Sequence, residues 1–376
     1  MNLRLPLLAP VLLLAACATP LHSPAPGGAP VVDPASTSAI GPAPVTLTER
    51  YLAHAAPGDE LDSLATWPTP DGGTWLIATA KSSDRLLVFD ADSGEQLRAV
   101  GGPGTGEGRF DRPNGVAVHG DHLFVAERDN RRVQVLALPG FEPTGSFGHA
   151  ELRSPYGLWI NEIAPGELEV YVTDNFMYGE RYDVVPPAAE LDQRVRRYRV
   201  RHDADGRLHS RYAGSFGDTG ADALHVVESI AGDPSRQRLL IADERFLTAD
   251  GGIASTLREY RFDGRATGKS LPHDMFAAEA EGVALWACSA ETGYWLAVDQ
   301  LEPRTVFHLF ERDSLRPAGS FRGETTAFTD GVVVHAASTP TFPHGALFAV
   351  HADSAVAAFD LQLIARGLGL AAECGG

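Results

Sequence analysis

Acidic and amide side chains recur in this chain at one fixed place in a repeated pattern. Six short apolar segments each open on a polar residue, followed mostly by Gly: Asp62, Asn114, Tyr156, Glu228, Glu281 and Asp330, with Glu279 two residues ahead of Glu281. About fifteen to twenty residues after each opening, a second apolar segment ends in a polar cluster. These clusters supply Lys81, Glu127 with Arg128, Asp174 with Asn175, Asp243 with Glu244, Asp299 with Gln300, and His351 with Asp353. Carboxylates in this number, joined by amide oxygens and by little His or Cys, suit a hard, oxygen-loving cation. Ca²⁺ comes first, with Mg²⁺ and Mn²⁺ behind it. Without a cation, so many like charges at close range would be expensive. Lys81 and Arg128 facing such a cation would suit a phosphate group, whose oxygens a metal and a guanidinium can hold together.

Convergence of these residues requires a particular scaffold. A third apolar segment follows the second in every unit, and a fourth is marked by Gly-Ser-Phe at 145–147, 214–216 and 319–321. Three or four short strands per unit, repeated six times with no helical period, predict an all-β fold, a six-bladed β-propeller. A sandwich of many short strands would not repeat the same polar punctuation six times. In a propeller the first strand of each blade lines the central channel and the second runs antiparallel beside it. The start of the first and the end of the second therefore share one rim, and the marked residues should meet at one mouth. Blades four to six bring mostly acid to it, and blades one and two bring the bases. Residues 176–192 widen blade three and predict an insertion between its second and third strands, long enough to have a task such as covering a site.

Composition agrees with this picture and narrows the class. The chain has 376 residues and a formal charge of −18, which excludes a nucleic-acid binder, since that needs a basic footprint. Its 39 Gly and 26 Pro are too many for a helical protein and too few for a disordered one. At the N-terminus, Arg4 precedes an apolar run from Leu5 to Ala16 that ends Leu14-Ala15-Ala16-Cys17. This has the form of a signal peptide closed by a lipobox (residues 1–17), too short to span a bilayer as a stable helix. Cys17 is then the expected lipidation site, and Ala18 rather than Asp after it points to the outer membrane of a bacterial envelope. The lipid would be the chain's one membrane contact. Residues 18–47 are Ala, Pro, Ser and Gly with almost no charge and read as a flexible linker, leaving 48–376 as the propeller, expected to act as a monomer. Cys288 and Cys374 would meet an oxidising compartment, where a disulfide tying the C-terminal tail to the body and two free thiols are both open, since sequence separation does not report distance.

Within this repeat the sequence resembles the β-propeller phytases, calcium-dependent phosphomonoesterases. The resemblance runs through EAEGVALWACSAETGYWLAVDQ, GSFRGETTAFTDGVVV and FPHGALFAVHAD in blades five and six. It extends back to VESIAGDPSRQRLLIADE, to PYGLWI, and to DSLATWPTPDGGTWLIATAKSSDRLLVFD, covering roughly residues 59–365. The resemblance implies calcium ligands at Asp62, Tyr156, Glu228, Glu244, Glu281, Gln300 and Asp330, with Asp353 as a further one, and phosphate contacts at Lys81 and Arg128. Asp243 and Glu279 join the metal set as neighbours on the rim, and Asn175 joins the substrate contacts. Attack on phosphorus by a metal-bridged water would need no covalent phosphoenzyme, with Glu228, Tyr156, Arg128 and Lys81 closest to the chemistry. The substrate would be phytate or a smaller phosphate ester.

Blade two, GRFDRPNGVAVHGDHLFVAERDNRRVQVL, resembles an NHL repeat instead, a unit of binding propellers as well as of enzymes. Elsewhere the chain departs from the phytase pattern at identifiable positions. Ser82 stands where the family has a second lysine, Asn175 where it has another, Glu279 where it has an aspartate, and Leu61 where the first of two acids belongs. Two lost lysines weaken the grip on a highly phosphorylated inositol. An NHL-like binding module and a lactonase-like hydrolase using one channel metal therefore stay open beside the phosphatase. No GxSxG or Walker-type loop occurs, and the glycine-rich 101–108 reads as an interblade loop.

Overall fold

Six antiparallel sheets stand in a ring, and each follows from one unit of the sequence repeat. The computed structural model of the chain describes residues 43–375. Cys17, the leader and most of the 18–47 segment lie outside the described residues. Blade one consists of Leu61–Pro68, Thr74–Ala80, Arg85–Asp90 and Gln96–Gly101, in the order found in every blade, from channel to periphery. The channel strands of blades two to six are Pro113–His119, Pro155–Ala164, Val227–Asp233, Ala280–Ala287 and Val332–His335. Among the described residues no helix is long and apolar enough to cross a membrane.

Alternating side chains let each strand face both neighbouring blades, so burial is divided by interface rather than gathered into one centre. Six apolar clusters result, one between each pair of adjacent blades. Leu76, Leu87 and Phe89 of blade one, for example, pack with Phe348 and Val350 of blade six, whereas Ile77, Leu86 and Val88 pack with Val116, Leu123 and Val125 of blade two.

The ring closes through chain segments that are distant in sequence. Tyr51–His54 pairs antiparallel with Ala355–Asp360 and supplies the outer strand that blade six lacks. Such closure ties the start of the described chain to the last blade and leaves only the short outer edges characteristic of a propeller. Val45–Leu47 then adds a parallel strand outside Pro317–Gly323 of blade five, which corrects the linker boundary expected at residue 47. Its register is set by Val45 and Leu47, which turn into the apolar cluster between blades five and six. After blade six, Asp360 caps a helix α1 (Leu361–Leu368) by accepting from the backbone of Gln362 and Leu363, and Gly369 ends it with φ 64°. Cys374, in the short helix α2 (Ala372–Gly375), forms a disulfide with Cys288 of blade five, with Cα atoms 4.9 Å apart. The bridge left open by the sequence is thus made.

Candidate metal centre

Five of the six channel strands begin with a β-bulge, and the residues marked by the repeat occupy it. In blades one to five the register slips between Leu61 and Leu64, Pro113 and Val116, Pro155 and Leu158, Val227 and Ile230, and Ala280 and Val283. Asp62, Asn114, Tyr156, Glu228 and Glu281 are the first bulged residues. Asp330 holds the corresponding place before Val332–His335, where Val350 donates to the carbonyl of Gly331. Bulges re-aim side chains, and these aim at the channel.

The small residue that follows each one has a steric cause. A methyl group on Gly115, Gly157, Gly282 or Gly331 would overlap the carbonyl oxygen of Tyr156, Glu228, Asp330 or Asp62 respectively, each on the next blade. Close backbone approach therefore tightens the ring and draws the acids together. Thr79 and Thr173, absent from the sequence reading, complete the fastening. Each hydroxyl bridges to a neighbouring blade, donating to the carbonyl of Asn114 (2.6 Å) and of Glu228 (2.6 Å), while accepting from the backbone of Ser63 and of Gly157. Their signal was a Thr two residues before Lys81 and before Asn175.

The polar clusters ending the second strands split into two roles because consecutive residues face opposite ways. Lys81, Arg128, Asn175, Glu244 and Gln300 are equivalent: each backbone N–H donates to the carbonyl two residues before the bulged residue of its own blade. The residue just before each of the last four is a buried brace. Asp174 accepts from the backbone of Arg153 and Ser154 and pairs with Arg196. Asp299 accepts from Ala277 and Ala278, and Glu127 pairs with Arg132. Asp243, expected as a metal ligand, belongs to this set. Its oxygens accept from the backbone of His225 and Val226, and Arg258 stands 2.8 Å away. Its partners lie in the wall of the blade, so it is withdrawn from the ligand set. The same reading grouped His351 with Asp353, and His351 is likewise structural, its Nδ1 bonded to the N–H of Ala327.

Glu228, Glu244 and Glu281 each bring a carboxylate oxygen to within 4.8 Å of the other two. Glu244 is 6% exposed, and its Oε1 is buried without a hydrogen-bond partner. Burial first, and then the surrounding carboxylates, push all three acids well above the ordinary glutamate range. A narrow cavity at the mouth is lined by Asp62, Tyr156, Glu228, Glu281 and Asp330 with the bulge residues beside them. Burial, then Glu228 and Asp62, raise the Tyr156 hydroxyl, which stays protonated at neutral pH. Glu279, by contrast, is exposed at the rim.

Lys81 occupies the other half of the mouth. Its Nζ lies 3.0 Å from Asp330, 3.2 Å from Asp62 and 3.8 Å from Asp353. Burial would lower this ammonium, but the three carboxylates together hold it above its usual value. Asp330 also accepts from the Gln300 amide, and burial pushes its carboxyl up to about 8 despite the nearby ammonium. Arg128 is paired with the adjacent Asp129 at 2.7 Å and is one-third exposed. Asn175, expected to meet substrate, is turned inward, where its Oδ1 accepts from the backbone of Val227 and its Nδ2 reaches Glu228 at 3.4 Å. It holds Glu228 in place rather than presenting itself to solvent. Asn114 is fully buried, with both amide atoms unpartnered.

The blade-three insertion emerges directly after Asn175 and is firmly rooted. Buried Arg194 donates to the carbonyls of Asp174, Phe176 and His225, and Arg153 stacks 3.8 Å over Phe176. Tyr182 and Val184 at its tip are exposed.

The sequence matches no described family and no curated protein. Among solved structures it is similar in chain path to the Cps50 (Swd1) β-propeller domain of Myceliophteria thermophila, with TM-score 0.48 and 11% identity over 82% of this chain and 99% of that one. It is also similar to a chain of a nidogen/laminin complex, with TM-score 0.48 and 16% identity over 75% and 88% of the two chains. Hydrazine synthase of Kuenenia stuttgartiensis gives TM-score 0.44 and 13% identity over 78% and 74%. These likenesses bear on the fold alone.

Proposed function

We propose that the chain is a calcium-dependent phosphomonoesterase, acting on phytate or a smaller phosphate ester at the acidic mouth of its channel. The observation that carries this reading is the triad of Glu228, Glu244 and Glu281, whose oxygens converge while one buried oxygen of Glu244 has no partner in the protein. An all-oxygen donor set with no thiol or imidazole fits a hard cation, and buried carboxylates left without one are costly. Glu228, Glu244 and Glu281 would hold it, with Asp62, Asp330, Gln300 and the Tyr156 hydroxyl around them. A bound cation of this kind supplies a polarised phosphoryl oxygen and an activated water.

The chain's own residues do the rest. Tyr156, protonated, can donate to an oxygen of the ester. Arg128 lies on the solvent side and can exchange Asp129 for a phosphate oxygen, which charge-assisted bidentate bonding favours. Asn175 and Thr173 hold Glu228 in position through its carboxylate and its backbone. Of the five equivalent second-strand positions, Lys81 and Arg128 carry positive charge and Asn175 and Gln300 are neutral, which favours an ester with few phosphates over a densely phosphorylated one. The test is release of phosphate from phytate and from p-nitrophenyl phosphate, abolished by EDTA and restored by Ca²⁺. Protein that is inert toward both substrates with saturating calcium overturns the proposal.

The inward turn of Lys81 and Asn175 favours one second reading, a cation-binding propeller that does not turn over an ester. Calcium binding without hydrolysis in the same assay would select it.

A further inference from the structure

The mouth of the channel is divided electrostatically in two. Glu228, Glu244 and Glu281 form one half and have no Lys, Arg or His ion pair among the described residues. Asp62, Asp330 and Asp353 form the other half and share a single ammonium, at 3.2, 3.0 and 3.8 Å. The residue that carries it, Lys81, stands at the position where blade four has Glu244 and blade five has Gln300, both oxygen donors. Blade one thus places a cation where blades four and five place oxygen donors, and that cation reaches into the adjacent blade six.

Carboxylates are acceptors only, so what satisfies them here is a group with donors and positive charge, which is also what a divalent ion would offer. One charge among three carboxylates is incomplete compensation. Lysine is a compact charge on a flexible four-carbon stem, able to change partner without backbone movement.

Resting on the reading of the mouth as a divalent-cation site for a phosphate ester, we propose that Lys81 is a resident counter-cation that stands in for one divalent ion. It leaves Asp62, Asp330 and Asp353 for the anion when phosphate enters, and so couples binding of the anion to binding of one additional divalent cation. The coupling is reciprocal: phosphate raises affinity for the added ion, and that ion raises affinity for phosphate by the same factor, typically about 5–150-fold.

Calorimetric Ca²⁺ titration of the metal-stripped full chain tests this, with and without inorganic phosphate kept below the concentrations that precipitate calcium phosphate. Wild type is expected to bind one more Ca²⁺ when phosphate is present. Lys81→Met is expected to bind that additional ion without phosphate and to show no further gain on its addition. A wild-type count that phosphate does not move, or a Lys81→Met count equal to wild type in phosphate-free buffer, overturns the inference. Should Lys81→Met fail to fold without metal, the phosphate dependence of the wild-type count decides alone. Wild type that binds no calcium at all would overturn the proposed function as well, whereas calcium binding indifferent to Lys81 and phosphate overturns this inference only.

Discussion

Glu244 shows at the scale of one residue how position in the repeat outweighs residue type. It follows Asp243 directly, and both are buried acids, yet Asp243 is enclosed by two backbone N–H groups and Arg258 while Glu244 keeps a bare oxygen beside Glu228 and Glu281. Glu244→Gln removes one of the crowded charges but keeps the shape. It should stabilise the metal-free protein by about 1 kcal/mol or more and weaken Ca²⁺ binding by at least about tenfold. Thermal melts in EDTA and calcium titration measure the two effects, and a variant less stable without metal would contradict the account. The same crowding fixes a pH dependence. A carboxyl raised in the folded state binds more protons folded than unfolded, so stability is lost as pH rises from its unfolded value through its folded one. Glu228, Glu244 and Glu281 lie well above 4.5, and Asp330 is raised from 3.8 to about 8. The melting temperature in EDTA should therefore fall between about pH 4.5 and pH 8.5, and calcium should flatten the decline by holding these groups ionised. A metal-free protein that gains stability across this window would refute the assignment.

At the scale of the element, the bulge opening five of the six channel strands turns a repeated sequence signal into a convergence of side chains. The polar residue aims inward and the small residue after it, Gly in four of the six, leaves room for the next blade's backbone, which is why the openings at Asp62, Asn114, Tyr156, Glu228, Glu281 and Asp330 were legible as a set. Gly157→Ala should cost about 1–3 kcal/mol through overlap with the Glu228 carbonyl, and should loosen calcium binding with it. Gly106→Ala, where nothing lies within 4 Å of the added carbon, should stay within about 0.5 kcal/mol of wild type. Equal melting temperatures for the two variants would show that the ring is not closed by these contacts. The second-strand clusters were less legible. Adjacent residues such as Asp243 and Glu244 look alike in sequence, and their division into a buried brace and a channel-facing acid depends on where the pairing with the first strand ends. Lys81 was read as facing substrate because its charge suits a phosphate, and Asn175 because of its position on the rim, but each is drawn inward by acids or backbone from another blade.

Considered whole, the molecule was readable wherever contacts are local and opaque wherever they join distant segments. Six blades follow from hairpins of neighbouring strands. The outer strand of blade six, Tyr51–His54, and the strand Val45–Leu47 come from the far end of the chain, where no repeat marks them. The Cys288–Cys374 bridge likewise spans 86 residues and could not be decided from spacing. Reducing it, or replacing Cys374 by Ser, should lower stability by about 2–4 kcal/mol, seen as a lower melting temperature with the calcium count unchanged, since Cys288 follows the far end of the strand Ala280–Ala287, at the opposite end from Glu281. Of the chain's 49 acids some are held in ion pairs, as Asp233 is with Arg312, and others such as Glu95, Glu107 and Glu302 are exposed on the surface, whereas Glu228, Glu244 and Glu281 gather at the channel mouth with no cationic partner among the described residues. Diffraction from crystals of the full chain soaked in Ca²⁺ tests that claim most directly. An ion bounded by the carboxylates of Glu228, Glu244 and Glu281 is the predicted result, and a mouth left without density at saturating calcium, or ions found only elsewhere, would contradict it.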